Sequence, residues 1–181
     1  HNEAIYTFLS PLLKKIEPRR ILSAERKKSY PAAQVLLFGY FPIGAVLLNA
    51  IREMKQRYLI VDFDPHVIQQ LSELGEPNLY GDVGDETFLG EIDAHKTKMI
   101  ISTIPDASVS NSLLTFLREK KYAGIVVVSV HTAEEAKTCY RLGADYVIIP
   151  NVLTGKKFSE ILKGNRARKR AWEVDRKPFL T

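Results

Sequence analysis

The residues best suited to chemistry in this chain are a glycine loop and a distant carboxylate. After one apolar run the sequence reads Gly39-Tyr40-Phe41-Pro42-Ile43-Gly44, and a second apolar run ends in Asp62, 23 residues beyond Gly39. That is the spacing of the G-x-G-x-x-G dinucleotide fingerprint. The first glycine makes the tight turn, the second lets a pyrophosphate approach the backbone, and the third lets helix and strand pack closely. The acidic residue accepts from ribose hydroxyls. Here Phe41 stands in place of the second glycine, and Pro42 removes an N–H from the helix N-terminus that would bind the anion. The two glycines needed by the fold are kept and the phosphate-specific one is not. The loop is therefore expected to set the fold while disfavouring NAD bound through the usual pyrophosphate contacts. Asp62 and Asp64 also have a plainer reading, because carboxylates beside a helix N-terminus are stabilised there without any ligand.

Groups for covalent catalysis are sparse. Cys139 falls in a helical pattern with Ala136 and Gly143 in register, which favours packing over nucleophilic attack. His66, His95 and His131 lack metal-ligand spacing, and no second Cys or HExxH pattern accompanies them. Of the three, His131 at a strand end is the one positioned to meet a ligand. No catalytic residue and no metal site are expected, and an enzyme would need substrate-binding structure beyond this fold.

The elements that must position the loop follow from apolar runs. Strands are expected at 34–38, 58–62, 78–80, 98–102, 125–130 and 146–149, most of them continuously apolar, as strands buried on both faces are. Helical patterns fill the gaps at 43–55, 65–74, 86–92, 108–120, 133–142 and 153–162. Thr132 is a candidate N-cap, Asp64-Pro65 puts proline at a first helical position, and Gly75 and Gly143 stand where helix C-caps belong. Alternating strands and helices with right-handed crossovers predict a Rossmann-like, doubly wound parallel six-stranded sheet in the order 3-2-1-4-5-6. An extra N-terminal helix is expected over 4–16.

With 181 residues, 45% hydrophobic, and a single Cys, the chain suits one globular domain in a reducing compartment and excludes a disulfide scaffold. The net charge of +5 is unevenly spread. Residues 1–30 hold seven Lys/Arg against three Asp/Glu, 31–155 hold ten against 15, and 156–181 hold nine against three. An acidic body between basic ends argues against a nucleic-acid platform and leaves a membrane surface or a partner open. The longest apolar stretch, 35–51, is 17 residues broken by Gly39, Pro42, Gly44 and Asn49, short of the ~20 apolar residues a spanning helix needs. The organisation expected is a lead-in helix and basic linker (1–30), which the resemblance described below makes juxtamembrane, a nucleotide fold (31–163) and a basic tail (164–181).

Several segments together resemble the N-terminal lobe of the RCK domain, also called KTN or TrkA-N. They are the Gly39–Gly44 loop, Val61-Asp62-Phe63-Asp64-Pro65, Tyr80-Gly81-Asp82-Val83-Gly84-Asp85, Ile100-Ile101-Ser102-Thr103-Ile104-Pro105-Asp106 and Gly143-Ala144-Asp145-Tyr146-Val147-Ile148-Ile149-Pro150. The resemblance covers about residues 33–163 and is closest to the cytosolic domains of Kef-like cation/proton antiporters. There a short "LSPLL…E" stretch follows the last membrane helix, and Leu9-Ser10-Pro11-Leu12-Leu13-Lys14-Lys15-Ile16-Glu17 is similar to it. The basic run after it suits a cytoplasmic flank.

The resemblance implies a nucleotide (AMP, ADP or NAD(H)) over Gly39, Tyr40, Phe41, Pro42, Ile43 and Gly44. It places Asp62 on a ribose with Phe63 and Asp64 beside it, Gly81, Asp82 and Val83 near base or ribose, and Thr103 and Ile104 at the fourth strand's end. Many family members carry Gly then Arg where Phe41 and Pro42 stand, and that Arg is a phosphate contact. The resemblance further implies a regulatory, non-enzymatic domain of a K+ or Na+/proton antiporter. Such a domain lies at the cytoplasmic face of the cell membrane, is joined to an upstream transmembrane bundle and forms a homodimer, with no nucleic-acid partner. The alternatives are a small NAD(P)-dependent oxidoreductase and a stand-alone nucleotide-sensing subunit of a K+ channel or transporter.

Overall fold

A computed structural model of the protein describes residues 33–92 and 96–165. The expected helix over 4–16, His95 and the basic tail beyond Asn165 lie outside the described residues. Six strands alternate with six helices there: β1 (Val35–Phe38), α1 (Ile43–Glu53), β2 (Tyr58–Asp62), α2 (Pro65–Glu73), β3 (Asn78–Tyr80), α3 (Glu86–Glu91), β4 (Met99–Ser102), α4 (Ala107–Glu119), β5 (Ile125–Ser129), α5 (Ala133–Leu142), β6 (Tyr146–Ile148) and α6 (Pro150–Asn165). All strands run parallel in the order β3-β2-β1-β4-β5-β6, as the apolar runs predicted. Val35 pairs with Tyr58 on one side and Met99 on the other, which puts β1 at the centre of the sheet.

The continuous apolar character of β1 has a simple cause. Successive side chains point to opposite faces, and both faces are covered. Leu36 and Phe38 pack with Leu59 and Val61 against Leu113, Leu114 and Leu117 of α4 and Ala136 and Cys139 of α5. Val35, Leu37 and Ile60 face the other way, onto Leu48 and Ile51 of α1 and Val67 and Leu71 of α2. The helices present these residues at spacings of three and four, so one stripe of each helix is buried.

Acidic and hydroxyl side chains open most of the helices. Asp64, Asp85 and Asp106 cap α2, α3 and α4 by accepting from the backbone N–H of His66, Thr87 and Ser108. Thr132 and Glu135 form a reciprocal capping box on α5. α1 departs from this pattern: Pro42 occupies its N-cap and makes no side-chain cap.

Two boundaries differ from expectation in an instructive way. α6 begins at Pro150, three residues earlier than the expected Leu153, because proline's fixed φ is preorganised for a first helical position. The C-cap of α2 is Leu74, and Gly75 follows it at φ +72°, supplying the left-handed turn. Gly143 sits at the C-cap of α5 as expected, at φ +108°.

Candidate functional site

The strand order reverses between β1 and β4, and the crevice beyond the carboxyl ends of such strands is where open α/β sheets bind ligands. The Gly39 loop lies there. Gly39 has φ +81°, and a Cβ on it would stand 2.9 Å from Ile104 Cγ1 and 3.0 Å from Thr103 Oγ1. A Cβ on Gly44 would come within 2.3 Å of the Gly39 carbonyl oxygen. Glycine at both positions is thus a requirement of close packing between loop, α1 and β4.

The loop is braced by the residues expected to meet a ligand. Asp62 is buried, and its Oδ2 accepts from the backbone N–H of Tyr40 at 2.8 Å while Oδ1 accepts from Asp64 N–H at 3.0 Å. Thr103 is also buried, and its hydroxyl donates to the Gly39 carbonyl at 2.9 Å. Gly39 N–H donates to Val61 O, and Ala45 N–H donates to Tyr40 O. Tyr40 is packed into the core beneath α1, with Phe41 edge-on to its ring at 4.6 Å.

These elements enclose a pocket of about 280 Å³. Of the sequence-predicted residues it is lined by Gly39, Phe41, Asp62, Phe63, Asp64, Gly81, Val83 and Ile104. Tyr40, Pro42, Ile43, Gly44, Asp82 and Thr103 are not among its walls. Asp82 is exposed and accepts from Gly84 N–H at 2.8 Å, fixing its own turn. Gly81 is buried beneath Phe88, whose ring a Cβ would strike at 2.1 Å. The structure adds Phe38, Val61, Val67 and Pro105 as walls that sequence reasoning missed. Val61 and Pro105 adjoin motif residues and could have been found by proximity; Val67 follows only from the packing of α2.

The pocket's chemistry is apolar and acidic. Phe41 and Phe63, each more than half exposed, stand at its walls. No Lys, Arg or His lines it. His131, the histidine singled out by position, is exposed and not among the walls; its N–H donates to Glu135. Cys139 is fully buried, and burial, then the nearby Glu135 charge, pushes its thiol up. Among the described residues no cluster of three metal-ligating side chains occurs, and no helix is long and apolar enough to cross a membrane.

A six-stranded doubly wound sheet with a glycine loop and an acidic residue at its switch point defines a Rossmann-like nucleotide fold. The family model for the TrkA-N domain matches residues 35–150, and the chain belongs to that family, the N-terminal lobe of RCK domains. Three solved structures illustrate the likeness. The TrkA-N domain of inner membrane protein ybaL from Escherichia coli is 19% identical, with a TM-score of 0.65, covering 71% of this chain and 96% of that one. The Shewanella denitrificans Kef CTD in AMP-bound form is 16% identical, with a TM-score of 0.62, covering 81% and 88%. The GsuK channel bound to NAD is 18% identical, with a TM-score of 0.58, covering 80% of this chain and 27% of the channel chain. At these identities the likeness establishes the fold. No curated protein sequence matches the chain.

Proposed function

We propose that this chain is the ligand-sensing regulatory domain of a monovalent cation (K+ or Na+)/proton antiporter, acting without enzymatic turnover. In this reading it sits at the cytoplasmic face of the membrane, joined to a transport bundle upstream, and works as a homodimer. Its ligand is an adenine mononucleotide in preference to a dinucleotide. The observation that carries the ligand choice is the Tyr40 N–H bonded to Asp62, which removes a phosphate donor from the loop. The volume of about 280 Å³ lies at the small end for ligand sites, and Phe41 and Phe63 offer faces for a base.

Support for the antiporter comes from the Leu9–Glu17 segment and from the likeness to a Kef C-terminal domain in AMP-bound form. Support for the dimer comes from α6, where Val152, Leu153 and Leu162 are each more than 40% exposed. The mechanism is linkage: a nucleotide that prefers one arrangement of the paired domains shifts the transport bundle by its differential affinity.

Thermal denaturation with AMP, ADP, ATP, NAD(H) and NADP(H) tests the reading. AMP or ADP raises the midpoint by several degrees and the dinucleotides do not. Hydride transfer to any added substrate contradicts it.

A further inference from the structure

Charge in this domain is sorted between the two edges of the sheet. At the carboxyl edge stand Asp62, Asp64 and Asp106, with no cation lining the pocket. The amino edge carries Lys55, Arg57, Lys98, Lys120 and Lys121, all exposed. Arg57 and Lys98 flank β1 directly: Gln34 N–H donates to Arg57 O at 2.7 Å, and Lys98 N–H donates to Gln34 O at 2.8 Å. Among the described residues none of these five forms an ion pair; Lys120 lies over the Phe116 ring. The carboxylates nearby are engaged within the fold, Glu76 by Arg52 and Tyr58, Asp145 by the Val126 N–H. Glu53 and Glu119 close α1 and α4, and the turn after each helix carries lysine.

The backbone adds a second observation. Four helices end at this edge in left-handed turns. After α2 and α5 the residue is glycine, Gly75 and Gly143, for which that conformation is free of strain. After α1 and α4 it is lysine, Lys55 at φ +53° and Lys121 at φ +52°. A residue with a Cβ is strained there. The helix macrodipole favours a cation at every helix C-terminus, so it does not distinguish these two from the glycine pair. Between the starts of β4 and β5, Lys98 and Lys121 border a cavity of about 420 Å³.

We infer that the amino edge of the sheet is a docking face for the anionic surface of a lipid bilayer, with the Lys98–Lys121 cavity receiving headgroup phosphate. The chain enters the sheet at this edge, through Ala33 and Gln34 into β1, after thirty residues that hold seven Lys/Arg against three acids. Charge complementarity between this exposed cationic edge and an anionic surface selects the bilayer as occupant, and the ligand pocket lies at the opposite edge of the sheet. The choice of a bilayer as partner rests on the membrane-adjacent role proposed above; the charge sorting does not.

The test uses the whole chain with phosphatidylcholine vesicles, with and without phosphatidylglycerol. Lys55→Gly, Lys98→Gln and Lys121→Gly combined lower partition onto the anionic vesicles roughly hundredfold, at about fivefold per lysine. The melting temperature does not fall, because two strained turns are relieved. Since Cys139 is buried, a fluorophore placed through Ala123→Cys at the amino edge responds to anionic vesicles, and one through Ser108→Cys at the other edge does not. Unchanged partition of the triple variant, an equal response at Ser108→Cys, or retention on soluble polyglutamate with none on vesicles overturns the inference. The nucleotide-induced thermal shift, read on the same variant, separates the two ideas. Lost vesicle binding in the wild-type chain with an intact shift overturns docking alone, and a missing shift with intact vesicle binding overturns the pocket reading alone.

Discussion

The backbone N–H of Tyr40 donates to Oδ2 of Asp62 at 2.8 Å, so the glycine loop gives its own carboxylate the donor a phosphate would use. The other oxygen holds Asp64 N–H. A carboxylate has about four acceptor sites, and the two that remain still suit ribose hydroxyls. The loop has thus lost phosphate-binding capacity at three consecutive positions: Tyr40 has spent its N–H, Phe41 carries bulk in place of glycine, and Pro42 has no N–H.

Asp62→Asn is expected to destabilise the protein in the absence of ligand by about 1.5–3 kcal/mol, because the two N–H groups use different carboxylate oxygens and the amide would turn an NH2 donor toward one of them. Denaturation of the ligand-free protein checks this. Were Asp62 only a ribose acceptor, the ligand-free midpoint would not move.

Restoring phosphate chemistry should restore the dinucleotide. Phe41→Gly with Pro42→Arg supplies the missing approach and a cation, and is expected to raise NADH affinity tenfold or more, measured by fluorescence titration.

Glycines in this chain divide sharply by surroundings. Gly44→Ala drives a Cβ into backbone and should cost about 1–3 kcal/mol. Gly155→Ala, in open space within α6, should stabilise by up to about 1 kcal/mol. Urea denaturation of both variants gives opposite signs.

Glu76 predicts the acid limb of stability. Burial alone would raise its pKa, but hydrogen bonds from Tyr58 and Arg52 outweigh burial and hold the carboxyl below its ordinary value of 4.5. A depressed folded-state pKa contributes stability that is present above pH 4.5 and lost as pH falls through the folded value. Stability measured against pH should therefore decline below that point, and Glu76→Gln should flatten the decline.

Tyr122 offers a contrast. Its hydroxyl is buried with no partner among the described residues, and burial, then the charge of Asp145, pushes it up to about 12. Tyr122→Phe removes an unsatisfied group and should leave the melting temperature unchanged or higher.

Much of the fold was legible because its signals are local. Buried parallel strands read as apolar runs, and Asp64, Thr132 and Gly143 mark helix ends by their own chemistry. The site was less legible. The Gly39-to-Asp62 spacing serves a ribose acceptor and a loop clamp equally well, and the clamp becomes visible only in the Tyr40 contact. Gly81 reads as a ligand contact and does line the pocket, but it also packs under Phe88, a neighbour that depends on how α3 folds back. The left-handed Lys55 and Lys121 carry no sequence mark, since glycine is the residue expected there.

Isothermal titration of the whole chain with AMP and with NADH, side by side, tests the central claim most directly. AMP binds measurably and more tightly than NADH if the loop's phosphate donors are spent as the Tyr40–Asp62 bond indicates. Tighter binding of NADH contradicts the account.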